Sequence, residues 1–312
     1  MMQFKEKNYP DNLAPIAFFA YKRPDHTLKA LTSLAQCELA AASHLYIFCD
    51  GPKSLEDQDA VQQVREVVAR VQWCGKVEVI SSEKNLGLSG SIIAGTTELC
   101  GKYGRVIVIE DDLLLSPHFL RYMNVALEKY HAEKQVMQIS GYMYPVSLSV
   151  DTDAIFLPFI STWGWATWQW AWQHFDPDMT GYADLKKSKK LRKAFDLEGA
   201  YPYFAMLELQ RAGKIDSWGI RWYLSTFLRG GLTLYPVKSL VANIGFDGSG
   251  THCSGGKFRA DSKEKDFVVN TYPDVQICGA TKRSIFKYLY KQNSFKRRIF
   301  RMIEKWFHWS KV

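Results

Sequence analysis

The chain has 312 residues, 47% of them hydrophobic and 23% charged, which is ordinary for a globular protein that buries a sizeable core. Its formal net charge of +8 is unevenly placed: residues 281–312 hold ten Lys or Arg and one acid, whereas residues 1–280 hold 30 bases and 31 acids. This near-neutral main part argues against a nucleic-acid-binding surface. Nor does any segment approach the roughly 20 apolar residues of a membrane-spanning helix.

The cysteine pattern and the N-terminus bear on location. Six cysteines are widely spread, without a Cys-x-x-Cys pair, which favours reduced thiols in a cytosolic protein. The first ten residues contain no apolar core of a secretory signal. We therefore expect a cytoplasmic protein, peripheral on the inner face of the plasma membrane if its basic C-terminal end binds there.

The first part of the chain alternates short apolar runs with helical periodicity. Strands are predicted at 14–20, 44–49, 76–80 and 106–109, and helices from about 25, over 61–71 and over 89–99. Such alternation predicts an α/β fold with a parallel, doubly wound sheet. We expect one main domain over 12–270 and a separate tail over 281–312.

The run Val-Ile-Val-Ile-Glu-Asp-Asp at 106–112 brings three carboxylates to the end of an apolar strand. Ligands of parallel sheets bind outside the carboxyl ends of strands, and adjacent carboxylates attract Mg²⁺ or Mn²⁺. An acid cluster at a helix start is the alternative, but Ser116-Pro117 supplies the next helix start. Strand alternation predicts that Glu110 and Asp112 point to one side and Asp111 to the other.

Polar residues also follow the other three strands. Tyr21 and Arg23 follow the first, Asp50 the second, and Asn85 and Gly87 the third. Because the carboxyl ends of parallel strands share one edge of the sheet, we expect these side chains to line one wall of one crevice. A cation, several acids and a glycine-containing loop together suit a nucleotide diphosphate and a metal ion.

With these motifs the chain resembles nucleotide-sugar glycosyltransferases of the GT-A fold, over roughly 14–255. Its Glu-Asp-Asp resembles the acidic motif of the N-acetylglucosaminyltransferase I group and of bacterial family-2-like transferases. The resemblance implies a GT-A domain with a nucleotide-sugar-binding half (14–115) and an acceptor-binding half (116–270). It also implies that Asp112 holds Mn²⁺ or Mg²⁺ on the donor diphosphate, with Glu110 and Asp111 beside the ribose and sugar.

The resemblance extends to the donor-side loops. Tyr21 to Pro24 resembles the nucleotide-entry loop, in which an Arg such as Arg23 reaches the diphosphate. Asp50 resembles the acid that binds uracil, and the loop with Lys84, Asn85 and Gly87 resembles one that flanks the nucleotide. The alternatives are a surface arginine before a proline turn, an Asp-Gly-Pro turn and an ordinary helix start.

The second half is less regular. Strands are predicted at 136–140, 154–160 and 232–235, and helices from 116 to about 133 and over 186–195, 203–211 and 217–228. In the tryptophan-rich segment, Trp165, Trp168 and Trp172 share one face of a predicted helix, which indicates core packing. By resemblance, Trp163 and Trp165 lie under the sugar, and Trp218 belongs to the same acceptor side.

Two further residues are candidates for the chemistry. Asp216, within Ile215 to Trp222, resembles the base that removes the acceptor hydroxyl proton in inverting transfer; capping of the following helix is the alternative. His252, after the glycine-rich stretch 245–250, is a candidate to approach the diphosphate or metal, as late loops in related transferases do. A surface turn is the alternative there.

The predicted function is therefore metal-dependent, inverting transfer of a sugar from a nucleoside diphosphate donor, UDP-linked, to a glycan or lipid-linked acceptor. A sugar nucleotidyltransferase is a rival, but the loop after the first strand lacks the glycines it needs. A non-catalytic glycan-binding protein at a membrane surface is a second rival. Dinucleotide and triphosphate motifs of the kinds GxGxxG and GxxxxGK[ST] are missing from the sequence.

The basic tail, 282–312, mixes cations with aromatic and aliphatic residues. Such a helix is typical of proteins that lie on an anionic membrane surface. The alternative is a C-terminal helix that packs on its own domain and turns its basic face to water.

Overall fold

A computed structural model describes residues 10, 12–246 and 267–293. The strands are β1 (Ile16–Ala20), β2 (His44–Cys49), β3 (Lys76–Ser81), β4 (Arg105–Glu110), β5 (Leu113–Leu115), β6 (Val136–Ser140), β7 (Ala154–Leu157), β8 (Trp165–Trp168), β9 (Leu232–Pro236) and β10 (Val241–Asn243). The helices are α1 (Pro24–Ala35), α2 (Gln58–Ala69), α3 (Gly87–Tyr103), α4 (Phe119–Lys129), α5 (Gln169–Trp172), α6 (Tyr182–Lys187), α7 (Lys189–Phe195), α8 (Tyr203–Arg211), α9 (Trp218–Leu228) and α10 (Gly279–Gln292).

Eight of the strands form one mixed sheet in the order β3-β2-β1-β4-β8-β6-β9-β7. The four strands of the first half pair in parallel, as the sequence predicts. The second half joins through antiparallel β8, which lies between β4 and β6, and a separate two-stranded ribbon pairs β5 with β10. The predicted α/β fold with a mostly parallel central sheet is confirmed.

Side chains of the sheet alternate between two cores, one on each face. Ile16, Phe18 and Ala20 of β1 belong to one core, and Ala17 and Phe19 belong to the other. The first core packs against α1, α2 and α4, whereas the second packs against α3, α9 and α10. Because both faces are covered, the strands read as nearly continuous apolar runs rather than as alternating ones.

Several element predictions from the second half need correction. The predicted helix at 186–195 is two helices, α6 and α7, separated at Ser188, whose side chain caps α7. The tryptophan-rich segment is strand β8 followed by the four-residue α5, so the predicted helical face is wrong. Pairing with β4 and β6 on both sides makes 165–168 a strand, and Trp165 and Trp168 therefore enter opposite cores.

The described part of the basic tail packs on the domain. Ile285 and Leu289 of α10 are buried in the second core, and Phe286 lies against it with its ring 6.2 Å from that of Phe159. These side chains are not available to a membrane, so the docked-helix alternative holds for this part. Residues 294–312 of the predicted membrane-binding tail lie outside the described residues. Within the described residues, no helix has the length and apolar character needed to cross a bilayer.

Removal of the Leu289 side chain tests this docking. Leu289 is 2% exposed, so Leu289→Ala leaves a cavity in the second core and should lower the free energy of unfolding by about 2 to 4 kcal/mol. Lys287→Ala, on an exposed position of the same helix, is the matched control and should change it by less than about 0.5 kcal/mol. Denaturant titration measures both, and equal effects would contradict the docked helix.

Candidate functional site

The site lies where the strand order of the sheet reverses. After β1 the chain builds β2 and β3 on one side of it, and β4 then pairs with β1 on the other side. In open α/β sheets such a reversal leaves a crevice outside the carboxyl ends of the two central strands, and ligands bind there. Arg23 follows β1 and Asp111 and Asp112 follow β4, so the chain places a cation and two acids at this crevice.

Arg23 is shared between the two aspartates. Its Nη2 donates to Asp111 Oδ1 in a short contact and lies 3.2 Å from Asp112 Oδ2. The predicted alternation, with Asp111 on the side opposite Asp112, is therefore wrong: β4 ends at Glu110 and residues 111–112 form a turn. Both aspartate side chains are largely buried, and together with the half-buried Glu110 they form what we call the acidic trio.

Among the described residues, Arg23 is the only side chain that forms an ion pair with the trio. Burial and then the charges of Asp112 and Asp111 raise the pKa of Glu110 well above its usual range. Burial raises the pKa of Asp111 to about 6, although Arg23 opposes the rise. Burial acts to lower the pKa of Arg23, but the two aspartates outweigh it and raise that pKa. Within the described part of the chain, one guanidinium thus lies beside three carboxyl groups, an arrangement that suits a further cation.

A loop that follows β10 covers Asp112. Ile244 N donates to the backbone oxygen of Asp112 at 2.8 Å, and Asn243 Nδ2 lies 3.5 Å from Asp112 Oδ1. A Cβ atom on Gly245 would lie 2.4 Å from Asp112 Oδ2 and 3.1 Å from Arg23 Nη1, so a larger residue there would require the Asp112 carboxylate to shift. The described start of this loop thus contacts Asp112 through residues 243–245. His252, the predicted metal residue of this loop, lies outside the described residues.

The donor chemistry of the trio fits a hard divalent cation. Carboxylate oxygens are the ligands that Mg²⁺ and Mn²⁺ prefer, and these ions take one or two of them where a diphosphate supplies others. Within 12–246 and 267–293, no three His, Cys, Asp or Glu side chains already converge as a complete ligand set. Of the trio, Asp112 is the member that contacts the segment at 243–245.

Asp50 makes internal contacts with both of its oxygens. Oδ1 accepts from Gly51 N and Leu86 N at 2.9 and 2.8 Å, and Oδ2 accepts from Asn85 Nδ2 and Gly87 N at 3.1 and 2.9 Å. We call these five residues the Asp50 network. A carboxylate offers about four lone-pair positions, so its acceptor capacity is filled. A pyrimidine N–H could bind Asp50 only by displacing one of these donors.

The same contacts change the interpretation of the loop at the start of α3. The N–H groups of Leu86 and Gly87, which could attract an anion, already hold the Asp50 carboxylate. Asn85 donates to Asp50 and to the Gly51 oxygen at 2.8 Å. Asn85 and Gly87 thus shape the loop from within, while the predicted donor contact Lys84 is exposed beside it.

Tyr21 anchors the loop after β1 to the segment that precedes α2. Its hydroxyl donates to Asp57 Oδ2 at 2.7 Å and accepts from Lys53 N at 3.0 Å. Burial, together with the hydrogen bond to Asp57, raises the pKa of Tyr21 to about 12.

Asp216 lies at the start of α9, beside the first turn of α3. Its side chain is 66% exposed and accepts from Arg221 Nη2 at 2.9 Å. Ser217, not Asp216, caps α9, because the Ser217 hydroxyl accepts from Ile220 N. Ser89 of α3 donates to the Asp216 backbone oxygen and accepts from Trp218 N, both at 3.1 Å. The capping alternative is thereby excluded for Asp216, whose carboxylate faces solvent.

The three predicted sugar-facing tryptophans separate into two groups. Trp165 and Trp218 stack on each other in the core at 5.0 Å and are 0% and 4% exposed, so neither presents a face to a sugar. Trp163 is half-buried between Tyr142 and Phe246, with ring centroids at 4.5 and 5.6 Å. Only Trp163 of the three therefore lies at the surface next to the loop that covers Asp112.

Sequence reasoning did not single out four residues that contact the candidate site. Asn243 contacts Asp112, and Gly51 lies so close to the Lys84 backbone that an added Cβ would be 2.6 Å from it. Ser89 donates to the Asp216 backbone oxygen, and Arg221 donates to the Asp216 carboxylate. Gly51 and Ser89 lie next to residues that the motifs identified. No local sequence pattern identifies Asn243 or Arg221. The partner of Asn243 is 131 residues away in the sequence, and the contact of Arg221 with Asp216 depends on a side-chain rotamer.

No protein-family model matches the sequence, and no curated protein matches it. The fold is similar to S. aureus TarS 1–349 (11% identity, TM-score 0.40), over 74% of this chain and 60% of that one. It is also similar to the mannosyltransferase PcManGT from Pyrobaculum calidifontis, in complex with GDP-Man and Mn²⁺ (10% identity, TM-score 0.40, 71% of this chain and 72% of that one). A third similarity is to the galactosyltransferase LgtC, in complex with donor and acceptor sugar analogs (11%, TM-score 0.37, 71% and 72%). At this distance the roles of the site residues follow only from their own contacts.

The filled Asp50 network makes a prediction about stability. Asp50→Asn replaces an acceptor oxygen by an NH₂ group that faces two donors, and should cost about 2 to 4 kcal/mol of unfolding free energy. Glu83→Gln, an exposed change in the same loop, should leave stability nearly unchanged. Thermal and denaturant unfolding measure the difference. Unchanged stability with a lost nucleotide affinity would instead assign Asp50 to direct base recognition.

Proposed function

We propose that this chain is a metal-dependent glycosyltransferase that moves a sugar from a nucleoside diphosphate donor to an acceptor hydroxyl group. The observation that carries the proposal is the acidic trio beside Arg23 at the reversal between β1 and β4. Carboxylates suit a divalent cation and a guanidinium suits a diphosphate. A nucleotide-sugar donor with its metal requires both groups in one place.

On the donor side, Asp112 would hold Mn²⁺ or Mg²⁺, with Glu110 and Asp111 beside the ribose and sugar. When bound, the cation supplies positive charge to the departing diphosphate. Arg23 binds that diphosphate through its planar fork of donors. The Asp50 network fixes the loop that carries Lys84 and the first turn of α3, and so shapes the wall beside the nucleotide, which we take to be UDP.

On the acceptor side, Asp216 would take the hydroxyl proton as the acceptor oxygen attacks the anomeric carbon, which gives inversion. Its exposure supports this role, because an acceptor can reach the carboxylate, and Arg221 keeps it oriented. Trp163 would pack against a sugar ring of a glycan or lipid-linked acceptor. His252 stays a proposed donor-side contact from the loop that begins at 243.

Loss of the metal ligand gives the first test. Asp112→Asn should reduce Mn²⁺-dependent transfer or donor hydrolysis by about a hundredfold or more, since the cation stabilises leaving-group charge by several kcal/mol. Asp151→Asn, an exposed acid outside the site, should behave as the unaltered protein. The assay uses a panel of UDP- and GDP-sugars with and without Mn²⁺. Full activity in Asp112→Asn would refute the assignment, and release of pyrophosphate from a sugar phosphate and a nucleoside triphosphate would favour the nucleotidyltransferase rival.

The base assignment predicts a different signature. Asp216→Asn should lower kcat by about 10²- to 10⁴-fold while Mn²⁺-dependent UDP binding stays unchanged, because the residue acts on the acceptor proton and not on the donor. Calorimetry of UDP binding with the same variant is the internal control. Unchanged turnover at saturating substrates would exclude Asp216 as the base.

The membrane proposal is now confined to residues 294–312, which contain six Lys or Arg and one acid. A chain that ends at 293 retains α10, so its loss of binding to anionic vesicles would reflect those residues alone. Sedimentation with anionic vesicles should fall severalfold on this truncation, and neutral vesicles are the control. Unchanged sedimentation would contradict a membrane role for this segment.

A further inference from the structure

Asp112 has a partner for each of its oxygen atoms. Its backbone oxygen accepts from Ile244 N, Oδ1 lies 3.5 Å from Asn243 Nδ2, and Oδ2 lies 3.2 Å from Arg23 Nη2. The Asn243 contact is long and uncharged. The Arg23 contact is therefore the interaction that a cation at Asp112 must replace.

The space around Asp112 Oδ2 is also limited. A Cβ on Gly245 would lie 2.4 Å from this oxygen and 3.1 Å from Arg23 Nη1, so the backbone at Gly245 closely approaches both groups. Arg23 and the loop at 243–245 thus enclose Oδ2 together. A guanidinium and a divalent cation repel each other, so a cation at Oδ2 competes with Arg23 for this oxygen.

Arg23 has an alternative partner when a donor is bound. Its side chain keeps about a fifth of its surface exposed (21%), whereas Asp111 keeps 5%. The guanidinium is therefore the accessible member of the pair. A diphosphate that enters the crevice offers it two anionic oxygens in the bidentate geometry that guanidinium groups prefer.

We propose that Arg23 is the resting counter-ion of Asp112 and competes with the metal for it, and that a nucleoside diphosphate relieves this competition by drawing Arg23 away. This inference rests on the proposed function. The diphosphate thereby promotes metal binding beyond what direct metal–phosphate coordination gives. By linkage the metal promotes diphosphate binding by the same factor.

The test measures Mn²⁺ affinity by calorimetry, without nucleotide, with uridine and with UDP. Arg23→Gln should bind Mn²⁺ alone on the order of tenfold more tightly than the unaltered protein, because a competing positive charge is gone. UDP should increase Mn²⁺ affinity more in the unaltered protein than in Arg23→Gln, and uridine should increase it in neither. Lys22→Gln is the matched control: Lys22 is the adjacent cation but pairs with Asp57, so Mn²⁺ affinity should not change.

Arg23→Gln leaves Asp111 without its buried partner and could unfold the protein. Arg23→Lys keeps the charge but loses the fork, so it should fold and show an Mn²⁺ affinity between those of the unaltered protein and Arg23→Gln. Melting curves in EDTA and in Mn²⁺ provide a second readout, since the Mn²⁺-induced rise in Tm should be larger in both variants.

The outcomes separate the two proposals. Mn²⁺ affinity that is equal or weaker in folded Arg23 variants overturns the competition, whether or not the protein transfers sugars. Equal UDP effects in unaltered and variant protein overturn the coupling. UDP that binds neither protein, with or without Mn²⁺, contradicts the proposed function and the coupling, while tighter Mn²⁺ binding by the variants alone would still establish the competition.

Discussion

The contacts from Arg23 to Asp111 and Asp112 join the ends of β1 and β4 at the point where the sheet reverses its strand order. Two largely buried carboxylates at neighbouring positions repel each other, and only a cation between them allows both to ionise. Removal of one partner of such a buried pair commonly costs about 3 to 5 kcal/mol. The turn at 111–112 and the loop at 243–245 both close on this pair, so the geometry of the crevice depends on it.

The number of hydrogen-bond donors per carboxylate differs between Asp50 and the acidic trio. Asp50 receives four hydrogen bonds, three of them from backbone N–H groups, and has no capacity left for a ligand. Among the described residues the acidic trio shares one guanidinium among three carboxyl groups, and burial raises the pKa values of Glu110 and Asp111. A resemblance to a motif cannot make this distinction, because both kinds of acid follow a strand. The trio therefore keeps acceptor capacity at the crevice, whereas Asp50 spends its own on holding the loop beside it.

Hydrophobic periodicity predicted the first half of the fold well, because strands and helices there alternate at regular lengths and parallel strands bring their ends together. The same periodicity predicted that Arg23 lies near Asp112, because these residues follow the carboxyl ends of parallel strands. It could not predict β8, since a short apolar run fits a strand or a buried helix equally, and pairing with β4 and β6 decides between them. The ribbon of β5 and β10 has three residues per strand, too few for any periodic signal. The contacts of Asn243 therefore had to come from the structure.

The two buried tryptophans pack in the core instead of presenting a face at the surface. Trp218 stacks on Trp165 in the core, and its backbone N–H binds Ser89, whose hydroxyl also holds the Asp216 backbone oxygen. Asp216 is thus two residues from Trp218, which is held both by its stacking on Trp165 and by its hydrogen bond to Ser89 of α3. Because α3 also begins at the Asp50 network, one helix connects the crevice wall to Asp216, the proposed base. A carboxylate that must meet an acceptor near the donor needs this kind of support, since small errors of position greatly reduce the rate of transfer.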